Sequence, residues 1–565
     1  MPPHESELRS PDWFRSVVFY ELSIRSFYDS NGDGIGDLPG VRAKLDYLTD
    51  LGAGAVWLLP FYESPWRDDG YDISNHYHVD PRFGTVDDLD GLIADAHGRG
   101  LRLVADLVTN HVSDQHPWFQ SARRDRHSSY RPWFLWSDSG TEFSRARRIF
   151  PDYEPSNWTF DEVAGQYYFH RFYATQPDLN YDTPAVHEEM FRFARFWLDH
   201  GFDGFRCDAA PYLYKREGTT CQSLPETHQF WRELRAMMDA EYPGTVLISE
   251  ANQTIAETVA YFDRGREFPM VLHFPIMPNF YLGLAENNPK RILDLLRATV
   301  PSVPADGAWA YFLRNHDELS LEQASDEEKT LFFRYFPLPP GARVHNGVRR
   351  RLAPLLGGDD NSVLLLTALI LGLPGSPFLY YGDEIGMGDR IDLPDRDAVR
   401  TPMQWEKGPS AGFSTAPPAS LTRPLVTDPG FGPAARNVAQ QEENTRSLLW
   451  RTRTLLRVRA AHAAVFGSNL YQAVDLGTAP VVGFWRPNAE YSVLCLYNFS
   501  IEPQSGSVPL PPAVWASPVE LVRGGLTSTV ADHTFQYRIA PRGFSWTLFL
   551  ARHPAASVAA ASPPA

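Results

Sequence analysis

"AVHEEMFRFARFWLDHG" (185–201) runs straight into "FDGFRCDA" (202–209): an amphipathic helical pattern, then a short apolar strand pattern that ends on Arg206 and Asp208. The alternation recurs along the chain. Further strand patterns are "VVFYELSIRSF" (17–27), "AGAVWLLPF" (53–61), "LRLVADLVTNH" (101–111), "VLISEAN" (246–252), "MVLHFPIMP" (270–278), "AWAYFLRNHD" (308–317) and "PFLYYGDE" (377–384). Helical patterns such as "VRAKLDYLTDLG" (41–52) and "VDDLDGLIADAHGRG" (86–100) follow them. Eight β/α alternations predict an α/β chain with a parallel sheet closed as a (β/α)8 TIM barrel. A doubly wound open sheet uses the same alternation. The count of eight, and polar residues at the ends of strands three, four, five and seven, favour the barrel.

The barrel takes residues 1–111 and 183–462. Residues 112–182 carry Trp118, Trp133, Trp136 and Trp158 among polar, Gly and Pro residues, and form a subdomain inserted after strand three. Residues 318–359 make a lid-like excursion after strand seven. Connections this long in a compact fold usually serve as functional covers. Beyond 463 the period becomes that of strands ("PVVGFWRP", "YSVLCLYNF", "TFQYRIAPRGFSWTLFLA"), which predicts a C-terminal antiparallel β-sandwich over 463–552. The composition of 553–565 predicts a disordered tail.

A net charge of −17 with no basic run argues against nucleic acid or an anionic membrane as partner. Three cysteines (Cys207, Cys221, Cys495) set no disulfide framework. "MPPHESELRSPDWF" has no apolar secretion segment. The longest apolar run, "SVLLLTALILGLPG" (362–375), is too short and too interrupted to span a bilayer. These features predict a cytoplasmic protein and leave a homo-oligomer open. Its 15 Trp, 25 Tyr and 35 Phe suit both a large core and a surface that stacks on apolar ligand faces.

In a barrel of this kind, chemistry sits at the C-terminal ends of the strands. Those ends carry Asp208, Glu250 ("LISEANQ") and Asp317 ("LRNHDEL"). Three carboxylates at one mouth repel one another. With burial, that raises the pKa of at least one and sets a proton donor beside an ionised carboxylate. Glycosidic cleavage needs such a pair: one acid protonates the leaving oxygen and the other attacks the anomeric carbon. Arg206, two residues before Asp208 on the same strand face, would keep Asp208 ionised, while Cys207 points to the opposite face as packing.

Over essentially its whole length the chain resembles the alpha-amylase family of glycoside hydrolases and transglycosidases. The matching motifs are "DLVTNH" (106–111), "QPDLN" (176–180), "GFRCDAA" (204–210), "SEAN" (249–252) and "RNHDE" (314–318). The resemblance implies a nucleophile at Asp208, a general acid/base at Glu250, and at Asp317 an acid that grips substrate hydroxyls. It implies that His111 and His316 hydrogen-bond the sugar in the −1 subsite, with Gln176 and Arg206 among the substrate-binding residues. In "DDGYD" (68–72), Asp68 and Tyr71 would line the pocket, the tyrosine as a stacking platform. "RTPMQW" (400–405) is similar to the oligo-1,6-glucosidase branch, and Arg400 would complete the subsite.

"DSNGDGIGDL" (29–38) opens like a calcium-binding EF-hand loop, but its twelfth position is Gly40, where an EF-hand needs a bidentate acid. Asp29, Asn31, Asp33 and Asp37, with the Ile35 carbonyl, can still surround a hard cation. The resemblance implies a structural calcium there and no organic cofactor. A second family site would use Asn110 and Asp178 with carbonyls at Tyr212 and Leu213; related sequences have an acid where this chain has Lys215.

"APYLYKREGTTCQSLPETH" (209–227), "ANQ" (251–253) and "YYGDEIGMGDRIDLPDRDAVRTPMQW" (380–405) resemble the trehalose synthase branch, which converts maltose to trehalose. That implies a retaining double displacement in which freed glucose stays in the +1 subsite, with Tyr212, Asn252 and Glu318 as its candidate holders. The insertion and the excursion would cover it. A hydrolytic α-glucosidase or oligo-1,6-glucosidase would use the same triad and admit water. "GPSAG" (408–412) matches the G-x-S-x-G elbow, but it has neither the strand before nor the helix after that the elbow requires, so Ser410 reads as a loop residue.

Overall fold

The computed structural model describes residues 11–511 and 518–550; the expected tail at 553–565 lies outside them. Eight parallel strands close into a barrel: β1 (Phe19–Leu22), β2 (Ala55–Leu58), β3 (Arg102–Val108), β4 (Gly204–Asp208), β5 (Val246–Ser249), β6 (Met270–Leu272), β7 (Ala308–Phe312) and β8 (Ser376–Tyr380). Closure is made at β1, where Phe19 pairs with Ala55 of β2 and Phe378 of β8. These strands are buried on both faces, which is why they read as apolar runs and not as alternating ones.

All eight expected strands are present, with shorter cores than their sequence patterns. Ile24–Phe27, expected as strand, is one helical turn, and β6 stops at Leu272 before a helix over Met277–Glu286 with Pro in its first turn. The apolar run at 362–375 falls largely in a helix, Asp360–Gly372, buried almost all round. It is covered by the C-terminal sheet, where Tyr497 Oη donates to the Ala368 carbonyl. An apolar stripe on every side is what a sandwiched helix requires. Among the described residues no helix is long and apolar enough to cross a membrane.

The insertion holds a helix (Pro117–Arg124) and a three-stranded sheet from Trp136–Ser137, Gln166–Phe169 and Trp158–Asp161. Trp118, Trp133 and Trp136 join the insertion to the main core, Trp118 packing on Trp133 at 4.7 Å and stacking on His76 at 5.1 Å, while Trp158 meets Phe169 edge-on at 5.2 Å in a small separate core. The excursion contains a helix (Asp326–Tyr335) started by a Ser325–Glu328 capping box, and a small antiparallel sheet from Leu319–Ser320, Gly347–Val348 and Arg343–Val344. C-terminally, six strands are hydrogen-bonded into one connected antiparallel sheet. Along Tyr491–Asn498 alternate residues part ways. Val493, Cys495 and Tyr497 pack on the barrel side, and Leu494 and Leu496 enter a second core with Val508, Phe535 and Phe549.

Candidate active site

Asp208 is the last residue of β4, Glu250 is the first past β5, and Asp317 follows β7, so the barrel itself brings the three acids to one mouth. Directly after Asp208 the chain turns through Ala209 in the left-handed region (φ 52°). That conformation, unfavourable for a residue with a Cβ, aims the Ala209 N–H at Glu250 Oε2, 3.0 Å away. Beneath both acids lies the fully buried Arg206. It donates to Asp208 Oδ1 (2.7 Å), to Asp106 Oδ1 (2.6 Å), and pairs with Glu250.

Burial pushes Asp208 and Glu250 each up to about 7, against the pull of Arg206. Near neutrality the pair therefore holds about one proton between two carboxyls, the state from which retaining chemistry starts. Asp317 is set differently. Although burial opposes it, His316, Arg396 and Arg400 hold its carboxyl far below the usual range. Arg396 and Arg400 each donate to its Oδ1 at 2.8 Å.

The three acids open into a common pocket. Asp68, Tyr71, His111, Tyr212, Asn252, His316 and Glu318 lie on its wall with the triad. Gln176, Arg206 and Arg400 do not line it; they act from behind. Gln176 Nε2 donates to Asp68 Oδ2 (3.0 Å) and approaches His111 Nε2 (3.3 Å), so it ties two wall residues together. Arg400 holds Asp317 and donates to the His316 carbonyl. Tyr71 is stacked on His316, with ring centroids 5.3 Å apart and planes 9° from parallel. None of the four insertion tryptophans reaches the pocket; its aromatic wall includes Tyr71, Phe150, Phe172 and Tyr212.

Sequence reasoning did not single out several residues of the site, among them Arg147, Phe150 and Glu322 on the pocket wall and the charged residues Arg396, Asp106 and Glu21. Arg396 bridges Asp317 and Asp68 and lays its guanidinium 4.6 Å over the Phe150 ring. Asp106 anchors Arg206, and Glu21 of β1 anchors His316. A buried acid inside an otherwise apolar strand was the available signal for Glu21. Asp106 opened a quoted motif without being singled out.

Above the pocket the insertion and the excursion meet. Arg147 of the insertion forms an ion pair with Glu322 of the excursion and donates to Tyr212 Oη at 3.2 Å. Asn252 Nδ2 donates to Ser320 Oγ at 3.0 Å and faces Glu322 at 3.4 Å. Farther out, the His345 N–H donates to Asp152 Oδ2 (2.6 Å), and its ring packs on Phe150.

The loop at 29–37 is wrapped around its own acids. Asp29 accepts from the N–H groups of Asn31, Gly32 and Gly34 and from Ser414 Oγ; Asp33 accepts from Ile35 N–H; Asp37 caps the helix Leu38–Ala43 through Gly40 N–H. Both Asp29 oxygens already accept two hydrogen bonds each, whereas the side-chain oxygens of Asn31, Asp33 and Asp37 accept no more than one, and the donor set is all hard oxygen, the ligand type calcium takes. Among the described residues no three His, Cys, Asp or Glu side chains gather as a metal cluster, so a cation here needs Asn31 and the Ile35 carbonyl as well.

The second expected calcium site is overturned. Lys215 Nζ stands 2.7 Å from Asp178 Oδ2, 3.3 Å from Asn110 Oδ1 and 3.2 Å from the Leu213 carbonyl. A covalent ammonium stands among three of the four expected ligands, Asp178, Asn110 and the Leu213 carbonyl. Ser410 donates to the Ala416 carbonyl within a loop, as its flanks required.

A family model described as "Alpha amylase, catalytic domain" matches residues 22–330 and 343–467. A trehalose synthase/amylase from Mycobacterium tuberculosis (strain H37Rv) is 47% identical over 543 residues, 95% of this chain and 90% of that protein. The trehalose synthase of Pimelobacter sp. (strain R48) is 43% identical over 549 residues, 95% and 96% of the two chains. Among solved structures, the alpha-glucosyl transfer enzyme XgtA superposes with a TM-score of 0.79 at 29% identity, covering 96% of this chain and 99% of its own.

Proposed function

The chain belongs to the alpha-amylase family, and from that premise we propose that it isomerises maltose to trehalose, moving a glucosyl group from the 4-hydroxyl of a glucose to the anomeric hydroxyl of the same glucose. The observation that carries this reading is the clasp over the mouth. Two long segments, after β3 and after β7, are locked together by Arg147 and Glu322 directly above a retaining triad. A hydrolase has no use for excluding water; an isomerase does.

The chemistry follows from the site. Glu250 gives its proton to the bridging oxygen as the bond from that oxygen to C1 breaks, and an Asp208 oxygen bonds to C1. Freed glucose turns in the covered +1 space beside Tyr212, Asn252 and Glu318. Its anomeric hydroxyl loses a proton to Glu250 and attacks C1, expelling Asp208. Two inversions retain the α configuration. Arg206 stays bonded to both carboxyls throughout, and Asp317, held ionised, accepts from glucosyl hydroxyls.

A time course on maltose that resolves trehalose from glucose tests the reading. Trehalose is expected in large excess, and Arg147→Ala, which opens the clasp, should raise the glucose share about fivefold. Glucose as the main wild-type product would leave a retaining α-glucosidase and sink the isomerase.

A structural calcium belongs to the same reading, held by Asp29, Asn31, Asp33, the Ile35 carbonyl and Asp37. None of these residues lines the pocket. Chelation is expected to lower the melting temperature by a few degrees, reversed by Ca²⁺ and not by Mg²⁺. A calcium-free protein that melts unchanged would remove the ion from the account. Three buried free cysteines and a disaccharide substrate support a cytoplasmic setting.

A further inference from the structure

We infer that Glu21, on β1, decides which nitrogen of His316 carries hydrogen, so that the −1 subsite receives an N–H and not a lone pair. The inference rests on the pocket being the glucosyl site. Glu21 is fully buried in the barrel wall, where a carboxyl without a partner would be strongly unfavourable. Its Oε1 accepts the backbone N–H of His316 at 3.0 Å and stands 2.6 Å from His316 Nδ1.

The other ring nitrogen faces acceptors. Nε2 lies 2.9 Å from Tyr71 Oη and 3.3 Å from Asp317 Oδ2. Tyr71 has one proton, and it goes to Asp106 Oδ2 at 3.2 Å, an oxygen that already accepts from Trp57 Nε1. What remains on Tyr71 Oη toward the ring is a lone pair. Asp317, ionised by two arginines, offers only lone pairs as well. Nε2 must therefore carry hydrogen for either contact to be attractive.

A second proton, on the 2.6 Å Glu21–Nδ1 contact in addition to the one on Nε2, guarantees this; with none to spare, a carboxylate would draw the ring hydrogen to Nδ1 and leave Nε2 bare. Seated on Glu21, the second proton is donated to Nδ1 and leaves the neutral ring with hydrogen on Nε2. Seated on Nδ1, it makes an imidazolium, which also has hydrogen on Nε2. Burial raises Glu21 and lowers His316, which favours the neutral arrangement. A glutamine at 21 breaks the guarantee. The backbone N–H of His316 points at the same Oε1 position, so the amide oxygen must sit there. That oxygen then accepts from Nδ1–H, and the neutral ring is left with a bare Nε2.

Glu21 is thus a positioning residue for glucosyl transfer. The test measures E21Q, E21D, H316A and E21Q/H316A on maltose and on p-nitrophenyl α-D-glucoside. E21Q is expected to lose about 100-fold in kcat on both substrates, with KM within about threefold of wild type and an unchanged melting temperature. E21D, which keeps an acid, should regain at least about tenfold. In the H316A background, E21Q should change kcat by less than about twofold, because nothing is left to orient. Full activity in E21Q, an equal loss repeated on top of H316A, or an E21D as poor as E21Q would each overturn the inference. If maltose yields only glucose in every variant, the isomerase reading fails while the aryl glucoside still reports on Glu21.

Discussion

Asp208→Asn is expected to lower kcat/KM on maltose by about 10⁴-fold or more, and at the same time to stabilise the fold above neutral pH. The first effect follows from position: the residue ends β4 at the pocket floor, and an amide cannot form the glucosyl ester. The second follows from burial. The folded carboxyl titrates at about 7, above its ordinary range near 4. Between those values the unfolded chain has released the proton and the folded chain still holds it. Stability contributed by this group therefore falls as pH rises from about 4 to about 7, and stays lost above that. Asparagine has no such dependence.

The melting temperature of the variant minus that of wild type should thus be near zero at pH 4 and grow up to pH 8. Glu250 competes for the same proton, so the gain should be on the order of 1–3 kcal/mol, below what the whole shift would give. The same sharing predicts that wild-type kcat/KM peaks near pH 7, where one carboxyl is charged and the other protonated. Thermal melts and initial rates over pH 4–9 check both. Residual activity above about 1% would move the nucleophile elsewhere, and parallel melting curves would mean that Asp208 titrates as an ordinary surface acid.

What the sequence made legible, and what it hid, divides along a physical line. The barrel was legible because strands buried on both faces must be apolar and helices between them amphipathic, whatever the tertiary detail. The triad was legible because equivalent strand ends place acids together without any knowledge of loops. Arg396 was hidden because its partners lie 79 and 328 residues away, and only the return of the chain after β8 brings it between Asp317 and Asp68. "DRD" at 395–397 looks like a solvated turn until then. Gln176 and Arg400 carried the right motifs but the wrong layer, since a motif does not say whether a side chain touches the ligand or the residue that does. The aromatic count left core and stacking surface both open, and the insertion tryptophans fall on the core side: they pack the insertion onto the barrel and within itself, and none lines the pocket.

Lys215→Met should be the most damaging single change outside the pocket, at about 3–5 kcal/mol of stability. The ammonium and the Asp178 carboxylate are both fully buried, 2.7 Å apart. Removing the lysine leaves Asp178 with the Arg171 backbone N–H (2.7 Å) but no counter-charge in contact. The damage would not stay local. Asp178 pairs through its backbone with His111, and Lys215 also holds Asn110, so the junction fixes the end of β3 against the base of the insertion that roofs the pocket. Loss of activity on maltose should therefore accompany the lower melting temperature. The double variant K215M/D178N, which withdraws both charges, should recover at least half of the loss, because the penalty comes from an uncompensated charge more than from a missing contact. Chelators should leave this junction untouched, since its cation is covalently attached, whereas they should act on the loop at 29–37. A Lys215→Met protein that melts like wild type, or that is rescued by added calcium, would show that the ammonium is not the cation this junction depends on.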